Sequence, residues 1–218
     1  MLASYNARMS AARTAEIAVA AAQLVAEEGM EYGQAKRKAA RALGRHGRHG
    51  ELPSNEAVED EVRAHIELFQ ADTQVAELAA LRGLAMGWML RLAELRPHLS
   101  GAVWRGTANR LSAVHLDLYC DDPKSAEIGL INLGIPFDTD AITTPSGEDL
   151  AVLTLASRCP GLPDPVTVHL TVRDLDDLRG ALKPDARGRS WRGDAHALQR
   201  LLSAENAALM PATRSPTP

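Results

Sequence analysis

The spacing of apolar residues divides the chain into a helical first half and a mixed second half. Up to Pro97, apolar side chains recur every three or four residues, which predicts a series of amphipathic helices. Gly29 and Gly44 follow two of these helices as stop signals, and Ser54 or Asn55 caps a third. The predicted helices cover 11–28, 32–43, a third segment with the apolar stripe Val58, Val62, Ile66 and Phe69, and 73–95.

After Pro97 the pattern changes to an alternation of apolar and polar residues, which is typical of strands. The segment 166–172 shows it most clearly, because its apolar residues share one face and its threonines and His169 share the other. Only a few helices are interleaved with these strands and the other predicted helices are gathered at one end, so the sequence predicts an α+β fold. The segment after Gly134 is predicted as a loop. Strands are predicted at 102–105, 114–119, 150–156 and 166–172, and helices at 122–133, 174–182 and 194–209.

These patterns predict a helical region over 1–97, an α+β domain over 98–209 and a disordered tail over 210–218. The chain has 45% hydrophobic residues, enough for a core, and lacks the roughly 20 consecutive apolar residues of a membrane helix. Its net charge of −4 gives no general attraction for nucleic acid. Cys120 and Cys159 lack the spacing of a metal or redox pair, which fits a cytoplasmic protein.

The segment 36–48 is a local exception to this acidic balance. Four of its basic residues lie on the second predicted helix, and further basic residues follow in a glycine-rich loop without an intervening acid. One interpretation is a solvated helix face whose charge suits the helix C-terminus. The other is a surface that binds phosphate or nucleic acid. The residues on the helix are Lys36, Arg37, Lys38 and Arg41.

The pattern that suggests chemistry lies in 102–121, which reads AVWRGTANRLSAVHLDLYCD. A predicted strand leads to Gly106-Thr107, a polar loop follows, and the next predicted strand carries His115 and Asp117. Residues two apart on a strand share a face, so two carboxylates in this arrangement can hold a pair of metal ions. A glycine turn lets backbone N–H groups approach a phosphate.

This order of elements resembles the nucleotidyltransferase superfamily, in which a Gly-Ser pair follows the first strand and two acids lie on the second. A third carboxylate lies on a later strand. The long helical prefix is also similar to that of a group of bacterial proteins with a nucleotidyltransferase-like core, some of which are labelled UDP-N-acetylmuramate–alanine ligase. The chain has no Gly-x-x-x-x-Gly-Lys-[Ser/Thr] motif to support an ATP-dependent ligase of that type.

The resemblance implies a small mixed sheet with flanking helices that binds an NTP together with two divalent metals and transfers a nucleotidyl group. Matched residue by residue, Gly106 and Thr107 stand at the phosphate-binding pair. Gly101-Ala102 is the alternative position for that pair. Arg105 or Arg110 would then neutralise phosphate charge.

The same match places His115 at the first carboxylate and Asp117 at the second, and these two residues would hold Mg²⁺ if the protein is active. The third carboxylate has no counterpart, since Asp164 and Asp174 lie only at the ends of the candidate strand. Mg²⁺ prefers hard oxygen ligands, so one acid in place of three leaves the catalytic set incomplete. His115, Asp117 and His169 form an alternative two-His-one-carboxylate set if their strands are neighbours.

The sequence therefore predicts a nucleotidyltransferase-like protein that recognises a nucleotide, with catalysis degenerate or uncertain. Two other functions stay open. One is a nucleic-acid-binding or regulatory module that uses the segment 36–48. The other is a protein-interaction scaffold, which follows if the long helix over 73–95 leaves an apolar stripe exposed.

Overall fold

The computed structural model describes residues 2–44, 52–144, 147–185 and 187–209. The chain divides into two compact units, a helical unit of Met1–Leu78 with Gly106–Ala113 and a sheet unit of Ala79–Arg105 with Val114–Pro218. This division differs from the predicted boundary at residue 97. The predicted tail 210–218 and the basic loop that follows Gly44 lie outside the described residues.

The helical unit is built from α1 (Leu2–Glu28), α2 (Tyr32–Ala42), α3 (Asn55–Phe69) and the first part of α4 (Ala71–Arg91). Alanine dominates its core, and the small side chains allow the helices to pack closely. The predicted stripe of α3 is buried except for Phe69, which is 73% exposed at the last turn of that helix. The core contains Ala18, Ala21, Ala22, Ala35, Ala39, Ala40, Ile17, Val25, Val58, Val62 and Ile66.

The helix-end signals at Gly29, Gly44 and Ser54 have the expected geometry, and Gly44 has a φ of 68°. Gly29 has a φ of 67°, and the Met30 amide donates to the Leu24 carbonyl, as in a glycine-capped helix end. Ser54 caps α3, because its Oγ accepts a hydrogen bond from the Ala57 amide at 3.1 Å.

The sheet unit contains one six-stranded mixed sheet with flanking helices. Its strand order is β3-β4-β5-β2-β1-β6, in which β2 and β5 are parallel and the other pairs are antiparallel. The strands are β1 (His98–Ser100), β2 (Val114–Cys120), β3 (Asp138–Thr143), β4 (Asp149–Ser157), β5 (Val166–Asp174) and β6 (Arg192–Gly193). The helices are the end of α4, α5 (Gly101–Arg105), α6 (Lys124–Asn132), α7 (Leu178–Ala181) and α8 (Ala195–Leu209).

Three predicted elements of this unit are wrong. The apolar run 102–105 was expected as a strand but belongs to helix α5, and the strand is the preceding segment, β1. Short apolar runs fit either element, so periodicity alone cannot separate them. The predicted loop after Gly134 contains β3, whose six residues are all exposed at the sheet edge. Helix α4 ends at Arg91, and a 3₁₀ turn over Ala93–Leu95 completes the segment predicted as one helix.

The two faces of the sheet differ in polarity, as the alternation in 166–172 predicts. Leu116 and Leu118 of β2, with Leu170 of β5, are buried among apolar side chains on one face. The other face carries the polar residues of the same strands, since successive side chains point to opposite sides. These polar residues are His115, Asp117 and Tyr119 of β2, and His169, Thr171 and Arg173 of β5.

Candidate functional site

Asp117 lies at the centre of a charged cluster on the polar face of the sheet. Its side chain is only 6% exposed, and each carboxylate oxygen meets a different arginine. Arg173 Nε donates to Oδ1 at 2.7 Å, and Arg192 Nη1 lies 3.1 Å from Oδ2. The carboxylate therefore joins two guanidinium groups, and both of its oxygens already have a cationic partner.

The strand register explains why these three residues meet. On the parallel pair β2–β5, Asp117 lies opposite Thr171, and Arg173 is two residues further along the same face. On the other side, β1 lies between β2 and β6, with Ser100 opposite both His115 and Arg192. Arg192 therefore reaches Asp117 across the three-residue strand β1.

Tyr119 extends the cluster towards β6. Its side chain is fully buried, and its hydroxyl oxygen accepts a hydrogen bond from Arg192 Nη1 at 2.6 Å. Burial, the largest effect, and the Asp117 carboxylate raise the pKa of the Tyr119 phenol, while Arg192 lowers it. The net direction is upward, so the phenol stays protonated at neutral pH.

The pKa of Arg173 is raised in the same environment. Burial alone would lower it, but the charge of Asp117 and the hydrogen bond to it stabilise the guanidinium. The cluster therefore has one anionic and two permanently cationic side chains, a net charge of +1. Such a set attracts an anion and repels a divalent cation.

The residues predicted to bind a metal do not form a metal site. His115 and His169 are stacked with ring centroids 5.0 Å apart, and His169 Nδ1 is 2.9 Å from Thr154 Oγ1. Across the described ranges, no group of three or more His, Cys, Asp and Glu side chains is arranged to hold a metal ion. Mg²⁺ does not fit here, because Asp117 is a single carboxylate and its oxygens face arginines.

Gly106 and Thr107 lie in the helical unit, whereas His115 and Asp117 lie in the sheet unit. Thr107 is buried, with its hydroxyl 3.3 Å from the Tyr32 hydroxyl. The carbonyl of Gly106 accepts a hydrogen bond from the Gln74 side chain. The structure therefore uses this predicted phosphate-binding pair in the packing of the helical unit.

The two predicted phosphate-neutralising arginines also have defined structural contacts. The backbone amide of Arg110 donates to the Glu77 carboxylate at 2.9 Å in the helical unit. In the sheet unit, Arg105 binds the Asp185 carboxylate at 3.1 Å and stacks over the Trp191 ring at 4.5 Å. Arg105 thus anchors the loop that precedes β6.

The alternative glycine, Gly101, has the geometry expected of a turn next to the polar cluster. It has a φ of 67°, begins helix α5 directly after β1, and packs against the imidazole of His115. A Cβ at this position would lie 3.3 Å from His115 Cδ2. Both the backbone conformation and the space therefore favour glycine.

The basic residues of α2 divide into a structural one and exposed ones. Lys36 Nζ donates to the Pro53 carbonyl and to Asn55 Oδ1, and burial, the largest effect, lowers its pKa. Lys38 is exposed and pairs with a glutamate of α1, and Arg37 and Arg41 are also exposed. The rest of the basic segment, from residue 45 to 48, lies outside the described residues.

The two arginines and Tyr119 were not among the site residues predicted from the sequence. Arg173 could have been found, because it continues the alternation of His169 and Thr171 onto the same face. Arg192 could not, because its strand has only two residues and its partner Asp117 lies 75 residues earlier. Only the completed sheet brings these two together.

Comparison of the chain with protein-family models, with curated proteins and with solved structures finds no match. None of the helices in the described parts of the chain is both long and apolar enough to cross a membrane.

Proposed function

We propose that the sheet unit is a nucleotidyltransferase-like fold that recognises a nucleotide or a related phosphorylated ligand without transferring a nucleotidyl group. The order of strand, glycine turn, short helix and second strand supports this proposal. In that order Gly101, rather than Gly106, takes the position of the phosphate-binding glycine. His115 and Asp117 then occupy the positions of the two acids on the second strand.

The observation that carries the proposal is the pairing of Asp117 with Arg173 and Arg192. In a two-metal site, metal ions neutralise the acidic residues and bind the phosphate oxygens. Here guanidinium groups neutralise the one remaining acid. Arginine binds phosphate through several N–H donors in a fixed geometry, so the same groups suit an anionic ligand.

One hydrogen-bond donor of Arg192 has no acceptor among the described residues. Its Nε is buried and has no hydrogen-bond partner among the described residues, while its Nη1 serves Tyr119 and Asp117. A buried donor without a partner is costly, so a phosphate oxygen that reached it would be favoured. Arg173 lies on the opposite side of Asp117 and keeps part of its side chain exposed.

Calorimetric titration with ATP, GTP, CTP and UTP, in EDTA and in Mg²⁺, tests this function. We expect at least one nucleotide to bind in EDTA and no release of pyrophosphate in Mg²⁺. Arg192→Met should weaken binding about tenfold or more, since a charge-assisted hydrogen bond contributes about 1.5–3 kcal/mol. Arg200→Met, an exposed arginine on α8, is the matched control and should bind as the parent does.

Two results would contradict the proposal. Binding that requires Mg²⁺, or pyrophosphate release that Asp117→Asn abolishes, would show an active metal site. Equal affinities of the Arg192→Met and Arg200→Met variants would show that the cluster does not contact the ligand.

A second candidate function rests on the exposed cations of α2. Arg37, Lys38 and Arg41 lie on one short helix, and three phosphate contacts would give a salt-dependence slope near −2.7 for duplex DNA. Replacing these three residues by glutamate should abolish retention on immobilised DNA. Retention that is unchanged in this variant would exclude the helix as a nucleic-acid surface.

A further inference from the structure

Apart from the charged cluster, the sheet unit contains an open cleft of about 790 Å³. One wall is formed by the end of α4 and the following 3₁₀ turn, and the opposite wall is α6. The floor is the end of β2, where Cys120 is followed by Asp121 and Asp122. A volume of this size is typical of ligand-binding clefts.

The cleft lies on the other face of the sheet from the charged cluster. Side chains alternate along β2, so Cys120 points away from the side that carries Asp117 and Tyr119. The cleft also lies at the carboxyl end of β2, which pairs in parallel with β5. Ligands of open α/β sheets commonly bind outside the carboxyl ends of such strands.

The walls of the cleft expose aliphatic side chains that the fold itself does not cover. Leu90 on one wall is 65% exposed, and Ile128 and Leu133 on the other are 52% and 49% exposed. Single exposed apolar residues are ordinary, but several that converge on one concavity mark an interaction site.

The floor of the cleft adds negative charge to this apolar lining. Burial raises the pKa of the Cys120 thiol, and Asp122, Asp121 and Asp174 raise it further, while Arg96 lowers it. The lining contains three carboxylates, of Glu94, Asp121 and Asp122, and two guanidinium groups, of Arg91 and Arg96, so its formal charge is −1. The raised pKa also favours the thiol form of Cys120 over the thiolate at neutral pH.

The backbone of Arg96 is strained where it lines the cleft. Its φ of 48° is the one positive value recorded for a residue other than glycine in the described chain. Its carbonyl is held by His98 Nδ1 at 2.9 Å, which fixes the turn between α4 and β1. Strained residues of this kind cluster at ligand-binding sites, because the surrounding structure must maintain them.

We propose that this cleft binds a peptide segment of a partner protein that presents aliphatic side chains next to a lysine or arginine. The aliphatic side chains contact Leu90, Ile128 and Leu133, and the cation lies between Asp121 and Asp122. The open shape suits an amphipathic segment laid into a groove, in which apolar contacts give affinity and the charge fixes the direction.

Fluorescence anisotropy with three labelled synthetic peptides of about 12 residues, three helical turns, tests the proposal. The first has a leucine stripe flanked by lysines, the second replaces the lysines by glutamate, and the third replaces the leucines by serine. We expect the full-length protein to bind the first at least about tenfold more tightly than either of the others.

The variants separate the two parts of the site. Asp121→Asn with Asp122→Asn removes the charge but retains an asparagine that can cap α6, where Asp122 Oδ1 now accepts from the Lys124 amide. This variant and Ile128→Ser should each weaken binding of the first peptide about tenfold. Matched controls on the exposed strand β3 are Asp138→Asn with Asp140→Asn, and Ile142→Ser, which should bind as the parent does.

Three outcomes would overturn the proposal. The first is the absence of measurable binding of the basic aliphatic peptide. The second is equal binding of the acidic peptide, and the third is unchanged affinity in the cleft variants. The test does not involve the arginine cluster, so its result is independent of nucleotide binding.

Discussion

Asp117→Asn is the change that most directly probes the charged cluster. The amide has the same size as the carboxylate but no charge, so Arg173 and Arg192 lose the anion that lies between them. The amide nitrogen is a donor, and it must face one of the two guanidinium groups, which are also donors. Either the hydrogen bond from Arg173 or the ion pair with Arg192 is therefore replaced by a repulsive contact.

The expected loss of stability follows from these contacts. The hydrogen bond from Arg173 contributes about 1.5–3 kcal/mol, and with the Arg192 ion pair the upper limit is the roughly 3–5 kcal/mol cost of breaking a buried pair. The arginine side chains are 23% and 21% exposed, so water takes over part of their solvation once Asp117 is gone. We expect the free energy of unfolding to fall by about 2–4 kcal/mol.

Urea unfolding followed by tryptophan fluorescence measures this loss. All three tryptophans, Trp88, Trp104 and Trp191, belong to the sheet unit, so the signal reports the unit that contains Asp117. A double-mutant cycle with Arg192→Met should give a coupling energy of about 1–2 kcal/mol. Unchanged or increased stability of Asp117→Asn would refute the reasoning. That outcome is typical of an acid selected for catalysis, since removal of such an acid often stabilises a fold.

Three further predictions concern the packing around the site and in the helical unit. Gly193→Ala should destabilise the sheet unit by about 2–4 kcal/mol in urea, because its Cβ would lie 2.2 Å from the Trp104 ring. Burial would raise the pKa of Asp185, but hydrogen bonds from backbone amides and from Arg105 lower it from 3.8 to about 2. The contribution of the Asp185 carboxylate to folding stability is therefore complete above about pH 4 and is lost as the pH falls through 2. Near-ultraviolet circular dichroism should follow this loss. Asn109→Ala should lower the protection of helical-unit amides in hydrogen exchange by about 2–4 kcal/mol, because two carbonyl oxygens lose a buried donor.

Each of these predictions has a matched control. Gly83→Ala adds a methyl group on α4 where nothing lies within 4 Å, and it should stabilise by about 0.5–1 kcal/mol. Asp185→Asn should remove the acid transition that its carboxylate causes. Asn132→Ala, at an exposed position, should leave hydrogen exchange unchanged. If a variant and its control had equal effects, the role given to the contact in that prediction would be contradicted.

The regular parts of the fold could be predicted from the sequence, because burial imposes a period on the side chains. The alternation in 166–172 correctly gives a two-faced strand, and Gly29 and Ser54 correctly mark helix ends. The strand β3 could not be predicted in this way. It lies at the sheet edge with every residue exposed, so burial does not impose an alternation of apolar and polar residues on it.

Only part of the candidate site could be predicted from the sequence, because the side-chain pattern of a strand is a local property. His115 and Asp117 were correctly placed on one face of a strand, since local alternation determines that face. The partners of Asp117 depend on strand order and register, which are long-range properties of the sheet. The short helix α5 also replaced a predicted strand, and under the proposed function the phosphate-binding glycine is therefore Gly101 rather than Gly106.

The most direct test of the account is a comparison of Mn²⁺ binding by the parent protein and by Asp117→Asn, with and without ATP. Electron paramagnetic resonance measures the free ion, so it counts bound Mn²⁺ without an assumption about activity. Because arginines already occupy both oxygens of Asp117, we predict the same Mn²⁺ binding for both proteins. A site of micromolar affinity that is present in the parent and lost in Asp117→Asn would contradict the account.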